Sequence, residues 1–281
     1  MNVVFDKMLA ATKGLLLLVL IALPSSSGRS TMSAQVFEVG DMVLTLEQLP
    51  QELMPSFSLQ EGIMKSPGIK DEAYRWPGGI LNYEMSDAVS SEDKALIRKT
   101  LSQLETKLDS CIKFQEADSG FRVIVNGENP TGCSSHVGYI GTTTSDGSQG
   151  LFLNPEGCMY PRTIEHEFFH AIGVYHTQSR TDRDEHVKIN FENIKEGMEF
   201  NFFKHSKSEV SEFGLPYDFE SVMHYRDSAF SKNENLLRTI ETLDPSKQDI
   251  IGRTTGVSEG DIMLVKRMYN CVDGKKDIVI I

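Results

Sequence analysis

The spacing of apolar positions along this chain changes period several times, and each change marks an element. Ile97, Leu101, Leu104, Leu108 and Cys111 recur in steps of four and three. That is the stripe of an amphipathic helix with one buried face. Ser90 or Ser91 can cap its free N–H groups, and the acids that follow favour the positive end of its dipole. Shorter apolar runs read as strands: 80–85 ("ILNYEM"), 121–126 ("FRVIVN") and 150–154 ("GLFLN"). Between the last two, "GCSSHVGYIGTTTSDGSQG" is rich in glycine and serine and is expected as a loop with short strand pieces. A helix should begin near Arg162 or Thr163. A second helical stretch is expected around Phe191 to Phe203. A last helix is expected in "SEGDIMLVKRMYNC" (258–271), with Ile262, Val265 and Tyr269 as its buried face. Residues 29–66 are mixed, acidic and weakly periodic, and no internal repeat is present.

The N-terminus has a different pattern. Lys7 and Lys13 precede a wholly apolar run from Leu15 to Leu23. That run is shorter than the roughly 20 residues a membrane span needs. Ser25 to Gly28 then offer small residues for cleavage, so 1–28 reads as a signal peptide and the protein as secreted and extracellular. Nothing later is long and apolar enough to span a membrane. The formal charge of −12, with no basic run to offset it, argues against a nucleic-acid partner. A length of 281 residues allows one large domain or two small ones. Secretion favours disulfides. Cys111, Cys133, Cys158 and Cys271 allow three pairings, and spacing does not choose among them.

The chemistry concentrates in "HEFFHAIGVYH" (166–176), which holds three of the seven histidines. His166 and His170 are four apart, so a helix puts both on one face. Neutral imidazole is a good zinc ligand, and a shared metal gives the two rings a reason to be neighbours. Glu167 can reach a water on that metal without being a ligand, as a general base does. Gly173 permits a sharp turn that returns His176 to the same metal. Three protein ligands leave a position open, which marks a catalytic site. Downstream, "SVMHY" (221–225) places Met223 where a methionine turn would lie beneath such a site. The other histidines carry weaker signals. His136 lies in the loop by the cleft, His186 and His205 read as surface residues, and His224 as structural.

Together these motifs resemble the astacin family of secreted metzincin zinc endopeptidases. The segment "HEFFHAIGVYHTQSRTDRDEHV" (166–187) is similar to the extended astacin signature, and "SVMHY" to its methionine turn. The resemblance runs from about Trp76 to Cys271. It implies an α+β fold, with an N-terminal subdomain of twisted mixed sheet and zinc helix. The C-terminal subdomain would be mostly irregular and end in a helix, with the cleft between the two. One Zn2+ would sit on His166, His170 and His176, with Tyr225 a further, switchable ligand that steadies the oxyanion. Glu167 would act on the metal-activated water. The implied disulfides are Cys133–Cys158 and Cys111–Cys271. The protease domain is expected at 67–281 and a propeptide at 29–66. In astacin propeptides an aspartate in a Phe-x-Gly-Asp motif blocks the zinc. "FEVGD" (37–41) is the match, with one extra residue, which makes Asp41 the ligand of the latent form. Glu61, in "EGIM", is a weaker candidate.

These expectations imply a latent zymogen whose partners are protein or peptide substrates, its own propeptide as inhibitor, and an activating protease. One residue departs from the pattern. Astacins usually place a glutamate after the third histidine to receive the mature N-terminus, and here that residue is Thr177. The alternative reading is a secreted binding protein that keeps the fold without catalysis. Against it, the glutamate and all three histidines are intact.

Overall fold

The computed structural model describes residues 36–45, 48–49, 68–69, 71–128, 132–141, 147–205 and 210–272. The expected signal peptide, Glu61 and the end of the chain lie outside these residues. Strands β1 (Val36–Val39) and β2 (Met42–Thr45) form a hairpin turned at Gly40–Asp41. A two-residue strand β3 (Gly68–Ile69) follows. Then come β4 (Ile80–Met85), β5 (Lys113–Glu116), β6 (Arg122–Asn126), β7 (Cys133–His136) and β8 (Ser148–Leu153). Apart from β3 these strands make one mixed sheet, ordered β1-β2-β7-β8-β6-β4-β5. The hairpin adds to it through β2, which runs parallel to β7 with Met42 opposite Ser135 and Val43 opposite His136. Residues 29–66, expected only as a weakly periodic propeptide, thus contribute two strands. Phe37, Val39, Met42 and Leu44 are buried with Leu49, Ile69, Val137 and Tyr175, so apolar burial drives the docking.

Helix α1 (Ser91–Lys107) starts where expected, with the Ser90 hydroxyl accepting the Asp93 N–H. Its stripe is buried at Ile97, Leu101 and Leu104, continuing to Leu108, and meets the sheet and helix α2 (Pro161–Ala171). The expected strands match β4, β6 and β8. β5 was not anticipated, because its alternation is mostly exposed.

The C-terminal half is mostly irregular. Its strands are short: β9 (Val187–Ile189) pairs with β11 (Ile240–Thr242), and β10 (Val210–Ser211) pairs with β3. The helix expected over Phe191 to Phe203 is not formed. Two single 3-10 turns, Phe191–Asn193 and Glu199–Phe202, replace it. Gly197 adopts a left-handed φ of 85° between them, and Ile194 is extended and bridged to Ser231. Helix α3 (Glu259–Met268) begins with a capping box between Ser258 and Asp261. Its fully buried apolar positions are Val265 and Met268, while Ile262 and Tyr269 are only partly buried. Asp261 faces inward, which rotates the buried face by a residue from the one expected.

Both implied disulfides form. Cys111–Cys271 ties the end of α1 to the end of α3, and Cys133–Cys158 ties β7 to the turn before α2. Trp76 is buried, and its indole N–H donates to Ala171 O at the end of α2. Among the described residues no helix is long and apolar enough to cross a membrane.

Candidate metal centre

Pro161 opens α2 at its first position, where a missing N–H costs nothing. One turn on, His166 and His170 project from the same face with ring centroids 4.7 Å apart. The helix ends at Ile172, and Gly173 turns the chain at φ 103°. A Cβ there would meet Ile69 at 3.2 Å, so glycine serves both the turn and the packing. The turn returns His176, whose Nε2 lies 3.2 Å from that of His170. Asp41 completes the group from the hairpin: Oδ2 is 3.1 Å from His166 Nε2, and Oδ1 is 2.9 Å from His176 Nε2 and 3.7 Å from His170 Nε2.

These separations fit one zinc ion. Zinc–nitrogen bonds of about 2.0–2.1 Å at tetrahedral angles put ligand atoms roughly 3.3 Å apart. The outer ring nitrogens fix the orientation. His166 Nδ1 is 2.9 Å from Val222 O and His170 Nδ1 is 2.7 Å from Val174 O, so each carries a proton outward and leaves Nε2 bare toward the centre. Burial pushes His170 down to about 4 and lowers His176, so both rings are neutral near pH 7, as ligands must be. Burial raises the Asp41 carboxyl, but the three histidines outweigh it and hold it well below the usual carboxylate range.

Glu167 is buried, and its Oε2 has no hydrogen-bond partner among the described residues. Burial first, and then the Asp41 charge, lift its pKa well above the ordinary value. Met223 is fully buried below the site, and its carbonyl accepts the Thr177 N–H at 3.0 Å. Tyr225 stands beside His176, with ring centroids 4.3 Å apart. Its hydroxyl is turned to the hairpin: a Cβ on Gly40 would lie 2.5 Å from it. Gln178 Oε1 accepts the Tyr225 N–H and steadies this corner.

Two histidine expectations are corrected or refined. His205 is buried against Tyr175, with ring centroids 4.6 Å apart, so it is not a surface residue. The Tyr175 ring gives it an apolar seat that spacing alone does not reveal. His186 is partly exposed and stacks on Tyr217. His136 Nδ1 contacts the Gly150 backbone across β7 and β8, and His224 Nε2 meets the Tyr217 hydroxyl at 2.8 Å. Arg162 and Arg226, both on the cleft wall, were not singled out from sequence. A cation one turn before the first histidine of the motif was the available signal.

The sheet, the zinc-motif helix and the buried three-histidine cluster with Asp41 form a centre able to hold one metal ion. Residues 68–270 match the family model for astacin, a peptidase family, and the chain belongs to that family. It is 35% identical to zinc metalloproteinase nas-6 of Caenorhabditis elegans, over 79% of this chain and 61% of that one. It is 37% identical to the low choriolytic enzyme of Oryzias latipes, over 74% of this chain and 73% of that one. Among solved structures, high choriolytic enzyme 1, a hatching-enzyme zinc protease of the same fish, aligns with a TM-score of 0.65 at 33% identity. That alignment covers 73% of this chain and all of that one. Myroilysin, at 17% identity and a TM-score of 0.54, shares the fold. The chain spans less than two thirds of several relatives it matches: 61% of nas-6, 37% of protein SpAN of Strongylocentrotus purpuratus and 42% of nas-13.

Proposed function

We propose that this chain is a secreted zinc endopeptidase made as a latent precursor, in which residues 29–66 act as the inhibitory propeptide. The observation that carries the reading is the Asp41 carboxylate seated among His166, His170 and His176. Three histidines with an open fourth position make a catalytic centre, and a carboxylate in that position closes it. The hairpin also occupies the exposed side of β7, the edge on which an extended substrate could add as a strand.

Zinc bound here would lower the pKa of a water to about 7 and polarise the substrate carbonyl. Glu167 accepts the proton of the attacking water and passes it to the leaving amine. Its Oε2 is buried without a hydrogen-bond partner among the described residues, so that oxygen is uncommitted and can take the proton. Tyr225, freed when the Gly40–Asp41 turn departs, donates its hydroxyl hydrogen to the oxyanion. Removal of the hairpin, with a mature start near Pro67 to Ile69, requires an activating protease. Secretion follows from the reading of 1–28 as a signal peptide and agrees with the two disulfides.

The test uses the full chain expressed into an oxidising compartment, cleaved to its mature form and assayed on a casein-like protein. Chelator-sensitive hydrolysis appearing only after cleavage is expected. A zinc-loaded mature chain that binds protein without cutting it would favour the inactive binding-protein alternative.

A further inference from the structure

Asn201 lies on the 3-10 turn Glu199–Phe202 in the C-terminal half and is 3% exposed. Its side-chain amide has one workable orientation. Nδ2 donates to Met198 O at 3.0 Å, and turning the amide over would set Oδ1 against that carbonyl. Oδ1 is therefore an acceptor, buried and without a hydrogen-bond partner among the described residues. The turn that carries it is held in place. Phe202 is fully buried, its ring meets Tyr225 edge-on with centroids 6.0 Å apart, and its carbonyl accepts Arg183 Nη1 at 2.5 Å. What faces Oδ1 is the turn of the β1–β2 hairpin. A Cβ on Gly40 would lie 3.0 Å from Asn201 Oδ1 and 2.5 Å from the Tyr225 hydroxyl. Gly40 directly precedes Asp41, the residue seated among the three histidines, so the bare acceptor looks onto the strip of cleft beside the metal centre.

A buried carbonyl without a donor is destabilising, and native structures rarely keep one without a use. The hairpin shields this one from water and gives it no N–H. An extended peptide can give it one. A chain in strand conformation turns the N–H groups of successive residues to opposite sides. When such a chain adds to an edge like β7, alternate N–H groups pair with the edge and the others point away from it. In the precursor β1 covers that outer side of β2, whereas a substrate brings no second strand with it. We propose that Asn201 is a substrate-binding residue whose side-chain oxygen accepts one backbone N–H of the peptide. That N–H lies on the side turned away from β7, within two residues of the bond cut, the scissile N–H excepted. The contact reads main chain, so it adds affinity and register without selecting a side chain. The proposal rests on the endopeptidase reading above.

The test uses the mature chain and quenched peptides in which one amide at a time, never the scissile one, is replaced by an ester. Each replacement removes a single N–H and keeps every side chain. Asn201→Leu should lower kcat/KM on the all-amide peptide by about ten-fold, the ordinary effect of leaving a hydrogen bond at a buried group unmade. One ester, within two residues of the bond cut, should lower the parent's kcat/KM by a similar factor and that of Asn201→Leu no further. The other esters should affect both proteins equally. A residue that only supports the fold would lower every rate in proportion and leave no such coupling. Where Asn201→Leu does not fold, Asn201→Ala carries the comparison. The side-chain carbonyl 13C resonance of Asn201 in a Glu167→Gln chain needs no change at 201: it should move on adding the all-amide peptide and not on adding that ester. Equal ester effects in parent and variant at every position, or a resonance that does not distinguish the peptides, overturns the proposal. Binding of the same peptides to the Glu167→Gln chain separates the two readings. Coupling of Asn201 to one N–H in Kd, without any hydrolysis by the parent, would keep the contact and sink the endopeptidase. Hydrolysis without coupling would do the reverse.

Discussion

Asp41 Oδ2 lies 3.1 Å from His166 Nε2, although 125 residues separate them in the chain. The contact depends on the β1–β2 hairpin, whose own apolar residues are buried next to the cleft. Asp41→Ala keeps that burial and removes only the carboxylate. The precursor carrying it should therefore cleave a short peptide before any propeptide is removed, whereas Glu61→Ala should stay silent. A fluorogenic assay on the two uncleaved variants decides this. An Asp41 variant as silent as the parent would place the block elsewhere in residues 29–66.

Gly40 should matter as much as the aspartate. Its φ of 65° is left-handed, and an added Cβ would lie 2.5 Å from the Tyr225 hydroxyl and 3.0 Å from Asn201 Oδ1. The backbone strain alone is about 1–2 kcal/mol for an L-residue. Gly40→Ala should loosen the turn and give a leaky precursor, with basal cleavage raised by roughly ten-fold if that strain is fully felt. The precursor-to-mature activity ratio measures it, and an unchanged ratio would show that the turn adapts.

The zinc motif was legible because its ligands are local: four-residue spacing, a glycine and a return within eleven residues define three of the four positions. The helix stripe from Ile97 to Leu108 was legible for the same reason. The seven-stranded sheet was only partly legible, because the edges of a sheet come from pairing between distant segments. β2 lies on β7 through a register between Met42 and Ser135 that no local pattern encodes. The stretch around Phe191 misled because its aromatic spacing suits a helix, while Gly197 and the Ile194–Ser231 bridge impose turns.

Metal loading and catalysis should separate cleanly. Glu167 holds no position in the four-residue cluster, so Glu167→Gln should keep one zinc per chain by elemental analysis and lose hydrolysis almost completely. His170→Ala should lose both, since His170 is fully buried at the centre and its Nδ1 is committed to Val174 O. Tyr225→Phe should keep the metal and retain weak activity, down by about 10²–10³ in kcat if the hydroxyl steadies the oxyanion. Substantial cleavage by the Glu167 variant would sink the assignment of the base.

His224 gives a stability test. It is buried, with Nδ1 on Tyr225 O and Nε2 meeting the Tyr217 hydroxyl, each at 2.8 Å. Burial is the main cause that pushes it down to about 4 from 6.5; the Tyr225 carbonyl opposes this and the His176 charge adds to it. The folded state therefore favours the neutral ring. Above pH 6.5 its contribution is constant. As pH falls from 6.5 toward 4, the unfolded chain gains a proton that the folded chain refuses, and stability drops by about 1.4 kcal/mol per unit. Urea melts of the parent and of His224→Gln between pH 7 and 4.5 should show a shallower fall in the variant. Parallel curves would mean that other groups carry the acid sensitivity.

The last test concerns Thr177, which stands where a glutamate would receive the mature N-terminus. Its hydroxyl donates to Ser221 Oγ at 2.9 Å, and Ser221 Oγ donates to Asp261 Oδ1 at 2.6 Å. Asp261 Oδ2 already accepts the N–H groups of Val222 and Ser258, so this carboxylate is engaged by its own neighbours. The segment at the expected mature start is held by backbone instead. Gly68–Ile69 pairs with β10, and the Ile69 N–H donates to Gly173 O at 3.0 Å. Ile69 is also buried against Tyr175 and Val137. These contacts do not depend on which residue carries the terminal amine. Mature forms beginning at Pro67, Gly68 or a few residues earlier should thus differ in rate by less than about five-fold, under ~1 kcal/mol of barrier. Initial rates on one peptide, at matched zinc content, measure this. A steep loss with each added residue would mean that the new amine is seated against an acidic group, with Asp218 on the wall of the cavity beside Thr177 the first to replace.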